Sequence, residues 1–124
     1  MQGILIVEDD AELREMIKSA LIRHKFTVIE AANGIDAITY FKPFATDVVI
    51  TNIIMPEEDG IGVIRKLKEI KPKLKIIAMS GGGKASPRHY LELAKMLGAD
   101  LTITKPFQIN DLISMVENLI RAER

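Results

Sequence analysis

The chain has 124 residues, 48% apolar and 27% charged, with 17 Lys plus Arg balancing 17 Asp plus Glu. That length suits one domain, 1–124, able to bury a core without staples, and the zero net charge argues against nucleic acid or an anionic membrane as a direct partner. The lack of cysteine removes disulfides, thiol catalysis and zinc thiolates, and short apolar runs with no secretory signal lead to the expectation of a cytoplasmic protein.

Strand and helix alternate five times along the chain. Residues 4–7 (Ile-Leu-Ile-Val) form a continuous apolar run, as in a strand buried on both faces. Asp10 is placed to cap a helix whose stripe is Leu13, Met16, Ile17, Ala20 and Leu21. Residues 27–31 are a second strand of mixed character, which suits a sheet edge. Asn33-Gly34 marks a turn, and Ile35, Ile38 and Phe41 give a short helix stopped before Pro43. Residues 48–51 are the third strand, and the stretch from Pro56 to Gly60 is loop chemistry. Val63, Ile64, Leu67 and Ile70 form the next helical stripe, ended by Pro72; residues 74–79 are the fourth strand. A glycine loop follows at 81–83, and Ser86-Pro87 starts a helix that carries Tyr90, Ala94 and Leu97 and ends at Gly98. Residues 101–104 are the fifth strand, and Ile109, Leu112, Ile113, Val116 and Ile120 stripe the last helix.

Five such units imply an α/β fold with a parallel sheet covered on both faces. Ligands of open α/β sheets bind beyond the carboxyl ends of the strands. Glu8, Asp9, Asn52, Ser80 and Lys105 all fall at such ends, so one cleft is expected to collect them. Glu8 and Asp9 offer oxygen ligands of the kind Mg²⁺ takes, or simply favour the following helix N-terminus. Lys105 offers a point charge to a phosphoryl oxygen or a carboxylate, or is a solvated loop lysine. Trans is the majority state for X–Pro, so the Lys105-Pro106 bond is expected to be trans. Ser80 is a phosphoryl contact or a turn serine. The glycines at 81–83 make no nucleotide loop, because the Lys-Ser/Thr ending is missing. Asn52 ends an apolar strand facing the cleft, where the surroundings suit a carboxylate that accepts a phosphoryl group. Strand alternation turns its neighbour Thr51 to the opposite face.

The chain resembles the receiver domains of bacterial two-component response regulators. The resemblance covers essentially the whole chain and rests on residues 4–10, on Asn52 to Gly60 with Met55-Pro56 and Asp59-Gly60, and on Gly98-Ala99-Asp100 through Lys105-Pro106-Phe107. It implies a flavodoxin-like (βα)5 fold with strand order 2-1-3-4-5 and a signalling module rather than an enzyme. Glu8 and Asp9 match the acidic pair that holds Mg²⁺, with Asp9 the direct ligand; Asn52 stands at the same metal site, and the Ile54 carbonyl matches the third protein ligand. Ser80 and Lys105 match the residues that contact the phosphoryl group. Implied partners are a sensor histidine kinase or phosphotransfer protein and a downstream protein or output domain, with a homodimer possible.

Three departures stand out. Asn52 occupies the phospho-acceptor position, where the family carries aspartate. Its delocalised amide has no anionic oxygen to attack a phosphohistidine, so no acyl phosphate is expected, Mg²⁺ binding weakens, and Lys105 turns toward Glu8 and Asp9. Asn52 is either native to a degenerate receiver or a deliberate exchange for aspartate; the otherwise intact site favours the exchange. Thr102 stands three before Lys105, where the family often has an aromatic switch residue paired with Ser80. The Ser80–Lys105 interval is also a few residues long, the excess falling in the 81–87 loop. Alternatives are a phosphorylation-independent interaction module and a flavodoxin-like cofactor binder, which would need a phosphate loop where Glu8-Asp9-Asp10 stands. A metal-dependent hydrolase lacks a histidine or second acidic cluster to prepare a water.

Overall fold

Short β-branched runs become strands, and the helices between them supply two apolar layers. The computed structural model describes residues 2–53, 60–81, 92, 95–96 and 98–122. In chain order these form β1 (Gly3–Val7), α1 (Ala11–Arg23), β2 (Thr27–Ala31), α2 (Gly34–Tyr40), β3 (Val48–Asn52), α3 (Gly60–Ile70), β4 (Lys75–Ser80), β5 (Leu101–Thr104) and α4 (Ile109–Arg121). The strands make one parallel sheet in the order β2-β1-β3-β4-β5. The helix expected from Ser86 to Leu97 falls almost wholly outside the described residues. Its expected end at Gly98 agrees with a φ of +123° there and a Gly98 N–H bond to the Lys95 carbonyl.

β1 and β3 are buried along their whole length, whereas β2 is open at its start, as an edge strand should be. Alternation along β3 splits the core in two. Val49 and Ile53 pack with α2 and α3, whereas Val48 and Ile50 pack with α1 and α4. Asn52 continues the second set and Thr51 the first. The Thr51 hydroxyl is buried and donates to the Asn52 carbonyl at 3.1 Å.

Local chemistry sets the helix ends. The Asp10 carboxylate accepts from the Glu12 and Leu13 N–H groups, capping α1 as expected. At the other end Lys25 adopts φ 73°, with Phe26 N–H returning to the Leu21 carbonyl and Lys25 N–H to that of Ile22. That is a Schellman closure built on a non-glycine residue. The Asn33-Gly34 pair differs from expectation: it starts α2, with the Asn33 side chain accepting the Asp36 N–H at 2.8 Å. An asparagine that serves a turn also serves a cap, so the dipeptide alone does not separate the two.

Among the described residues most members of the expected helical stripes are buried or partly buried. Met16, Ile35 and Ile70 belong to the expected stripes, yet all three are about half exposed.

Candidate functional site

Three loops at the carboxyl end of the sheet bring the cleft residues together. Glu8 and Asp9 follow β1, Asn52 is the last residue of β3, and Lys105 follows β5. The central position of β1 and β3 explains why the site is so enclosed: Glu8 is fully buried and Asn52 nearly so. Asp9, at the mouth, is exposed.

A single hydrogen-bonded network joins these residues. Lys105 Nζ donates to Glu8 Oε1 at 2.6 Å. Glu8 Oε2 accepts from the Asp10 N–H at 2.9 Å and from Asn52 Nδ2 at 2.8 Å. Asn52 Nδ2 also donates to Asp9 Oδ1 at 3.1 Å. The nitrogen of the amide must face these acids, because its oxygen would be repelled by two carboxylates. Both Glu8 oxygens are thus engaged, which is what a fully buried carboxylate requires.

One expected feature differs, and the other cleft residues keep their expected strand ends. The Lys105-Pro106 peptide is cis, not trans, and Lys105 is directed into the cleft. The general preference for trans is small enough for tertiary contacts to reverse it. Ser80 ends β4 and is buried, but its hydroxyl has no partner among the described residues. It pairs in register with Thr104, and the Lys105 N–H bonds its carbonyl at 2.8 Å. Thr102 pairs with Ala78, two positions short of the strand end, and is partly exposed. Ile54, expected to offer a carbonyl ligand, lies outside the described residues, as do Met55, Pro56 and Asp59. His24 caps the far end of α1 beside Glu117 and has no part in the cleft.

Three supporting residues were not read from the sequence. Gly60 opens α3 directly against the end of β3, and a Cβ there would run into the Asn52 and Ile53 carbonyl oxygens. Its Asp-Gly context was visible, but a loop glycine does not reveal what its missing side chain makes room for. Arg14 donates to the Glu8 carbonyl at 2.8 Å and pairs with Glu30 on β2 at 3.3 Å. Lys18, one turn on, bonds Glu30 at 2.9 Å. The Lys18 hydrogen bond, then its charge and that of Arg14, hold the Glu30 carboxyl below the usual range; the same bond raises Lys18. Beside the cleft mouth Asp10, Leu13, Met16, Lys105, Phe107 and Ile109 line a mostly apolar pocket of about 600 Å³.

Receiver domains bind Mg²⁺ at this acidic pocket, and the residues here fit that ion poorly as arranged. Both Glu8 oxygens are taken by N–H donors, and Asn52 presents nitrogen, not oxygen, to the acids. Hard cations need oxygen ligands. Among the described residues no group of three His, Cys, Asp or Glu side chains is placed to hold a metal.

A doubly covered parallel sheet with acids after β1, a polar residue ending β3 and a lysine after β5 defines a receiver-type signalling module. The family model for the response regulator receiver domain matches residues 4–117, and the chain belongs to that family. Chemotaxis protein CheY of Bacillus subtilis is 36% identical, over 94% of this chain and 96% of its own length. DNA-binding transcriptional regulator NtrC of Azospirillum brasilense is 30% identical over 96% of this chain, which spans only 24% of that longer protein. The crystal structure of a response regulator receiver domain protein from Clostridium thermocellum superposes with a TM-score of 0.89. It shares 27% identity and covers 99% of this chain and 97% of its own. No helix among the described residues is long and apolar enough to cross a membrane.

Proposed function

We propose that this chain is a cytoplasmic receiver module, residues 1–124, that keeps the receiver's frame but takes no phosphoryl group at its acceptor position. The observation that carries this reading is Asn52 itself. It ends β3 at the centre of the cleft and spends its amide on Glu8 and Asp9. An amide nitrogen whose lone pair is delocalised, and whose hydrogens are both engaged, is no nucleophile. The consequence is the same whether Asn52 is native or a replacement for aspartate. Glu8, Asp9 and the Ile54 carbonyl are the remaining candidates for Mg²⁺, and their hold on it is weakened. Ser80 and Lys105 are the residues placed to contact a phosphoryl group were one present.

Output then comes from contacts made in a fixed state. With Thr102 in the aromatic switch position, movement at Ser80 has little surface to displace. The apolar pocket between α1 and the β5–α4 loop flanks the cleft, and it suits a helical face of a histidine kinase or phosphotransfer protein. A downstream protein, an output domain or a second copy of the chain takes up the face around β5 and α4.

Intact-mass spectrometry after incubation with Mg²⁺ and acetyl phosphate tests this reading. No phosphoryl adduct is expected on this chain, and one adduct on Asn52→Asp. An adduct on the unaltered chain would overturn the reading; no adduct on either would show that the fault lies beyond Asn52.

A further inference from the structure

The cleft carries its own counter-charges. Glu8 is a fully buried carboxylate, and an isolated buried charge is strongly unfavourable. Asp9 adds a second negative charge next to it. Between them sits Asn52 Nδ2, whose two hydrogens go to two different carboxylates, Glu8 at 2.8 Å and Asp9 at 3.1 Å. On the far side of Glu8 stands the Lys105 ammonium at 2.6 Å. We propose that the two N–H donors of the Asn52 amide and the Lys105 ammonium together replace the contacts of a divalent cation, leaving one uncompensated charge at the exposed Asp9, so that the fold's stability does not depend on Mg²⁺.

This rests on reading the cleft as that of a receiver with Asn52 at its acceptor position. A carboxylate at position 52 has no hydrogens to donate when ionised. It would turn two hydrogen bonds into two like-charge contacts, in an enclosed site where such contacts are strong. Three carboxylates and one lysine would then need a further cation. With asparagine the count is two carboxylates against one ammonium and one two-hydrogen donor. Asp9, the acid without a full counter-charge, is also the one at the mouth, where water screens it. The same network holds Lys105 on Glu8, so a metal entering the cleft would have to displace donors that already satisfy it.

Thermal melts of the full chain and of Asn52→Asp, each in EDTA and in millimolar MgCl₂, test this. The chain is expected to melt at the same temperature in both, within about 1 °C, because binding that adds nothing to the native state shifts nothing. Asn52→Asp is expected to melt about 5 °C lower in EDTA and to recover most of that in MgCl₂. Equal Mg²⁺ stabilisation of both proteins, or an Asn52→Asp protein as stable as the chain in EDTA, would overturn the proposal. Should Asn52→Asp fail to fold in EDTA, Mn²⁺ titration of the unaltered chain, read by the electron paramagnetic resonance of the free ion, decides. Negligible depletion supports the proposal, and tight one-site binding overturns it. A phosphoryl adduct on the chain would defeat the receiver-without-acceptor reading and leave these melting temperatures unaffected, so the two failures are distinguishable.

Discussion

Two acid–base clusters flank the start of α1, built from the same residue types and doing different work. In the cleft, Lys105 meets a Glu8 that has no exposed surface. On the sheet edge, Arg14 and Lys18 meet a Glu30 that is about one-third exposed. The inner pair is constrained: Glu8 can neither move to water nor lose a partner without leaving a buried charge uncompensated. In the outer cluster the solvent competes for every group, and salt screens what remains. Burial, more than distance, separates them, since the shortest contacts are 2.6 and 2.9 Å. Arg14 links the two by donating to the Glu8 backbone carbonyl while it pairs with Glu30.

Removing the inner cation is the harshest way to break this contrast. Lys105→Met should lower stability by about 3 kcal/mol in urea titration, because it strands Glu8; a loss no larger than that of Lys18→Met would erase the distinction. Gly60→Ala comes next. Its added methyl group meets the carbonyls at the end of β3 and should lower stability by about 2 kcal/mol through overpacking. Because that backbone carries Asn52, amide exchange should also quicken around residues 8–10 and 52.

Arg14→Ala sharpens the comparison from the linking residue. The loss of one charge-assisted bond to a carbonyl should lower stability by about 1.5 kcal/mol. A double-mutant cycle should couple it to Glu30 more than to Lys105.

The smallest expected effect lies at Glu30 and shows up through pH. Its folded pKa is lowered, first by the Lys18 hydrogen bond. The stabilisation is therefore complete above the unfolded carboxyl value of about 4.3 and is lost as pH falls through the lower folded one. Lys18 runs the other way: its contribution persists through neutral pH and fades only as pH rises past its raised value. Glu30→Gln should lower stability slightly at pH 7, with the difference from the unaltered chain disappearing as pH falls, so that the acid limb of the profile is flatter. A steep change at neutral pH would mean that the outer cluster is more enclosed than it looks.

The strands were legible because each was a short apolar run bounded by polar or turn residues, and the periodicity of the last helix left little choice about its buried face. The expected edge strand, residues 27–31, came from its mixed character and proved to be β2 at the sheet edge. Convergence of Glu8, Asn52 and Lys105 followed from the general rule for open α/β sheets. The bonds among them did not. Lys105 was expected to turn toward Glu8 and Asp9 once position 52 held an amide, and it bonds Glu8; that the Asn52 amide would bond both acids depends on side-chain placement across neighbouring strands, which a sequence does not record. The role of Gly60 depended on an approach of two backbones that a single sequence does not record. Thr102 was readable only as an absence of an aromatic, and its placement beside Ala78 came from strand register.

The central claim is that the frame of a receiver surrounds a residue unable to take a phosphoryl group. Its most direct test is label transfer from a phosphohistidine. A phosphotransfer protein labelled with ³²P on its histidine is mixed with this chain, and in parallel with Asn52→Asp, in the presence of Mg²⁺. The account predicts that the label stays on histidine in the first mixture and moves in the second; label on the unaltered chain would contradict it.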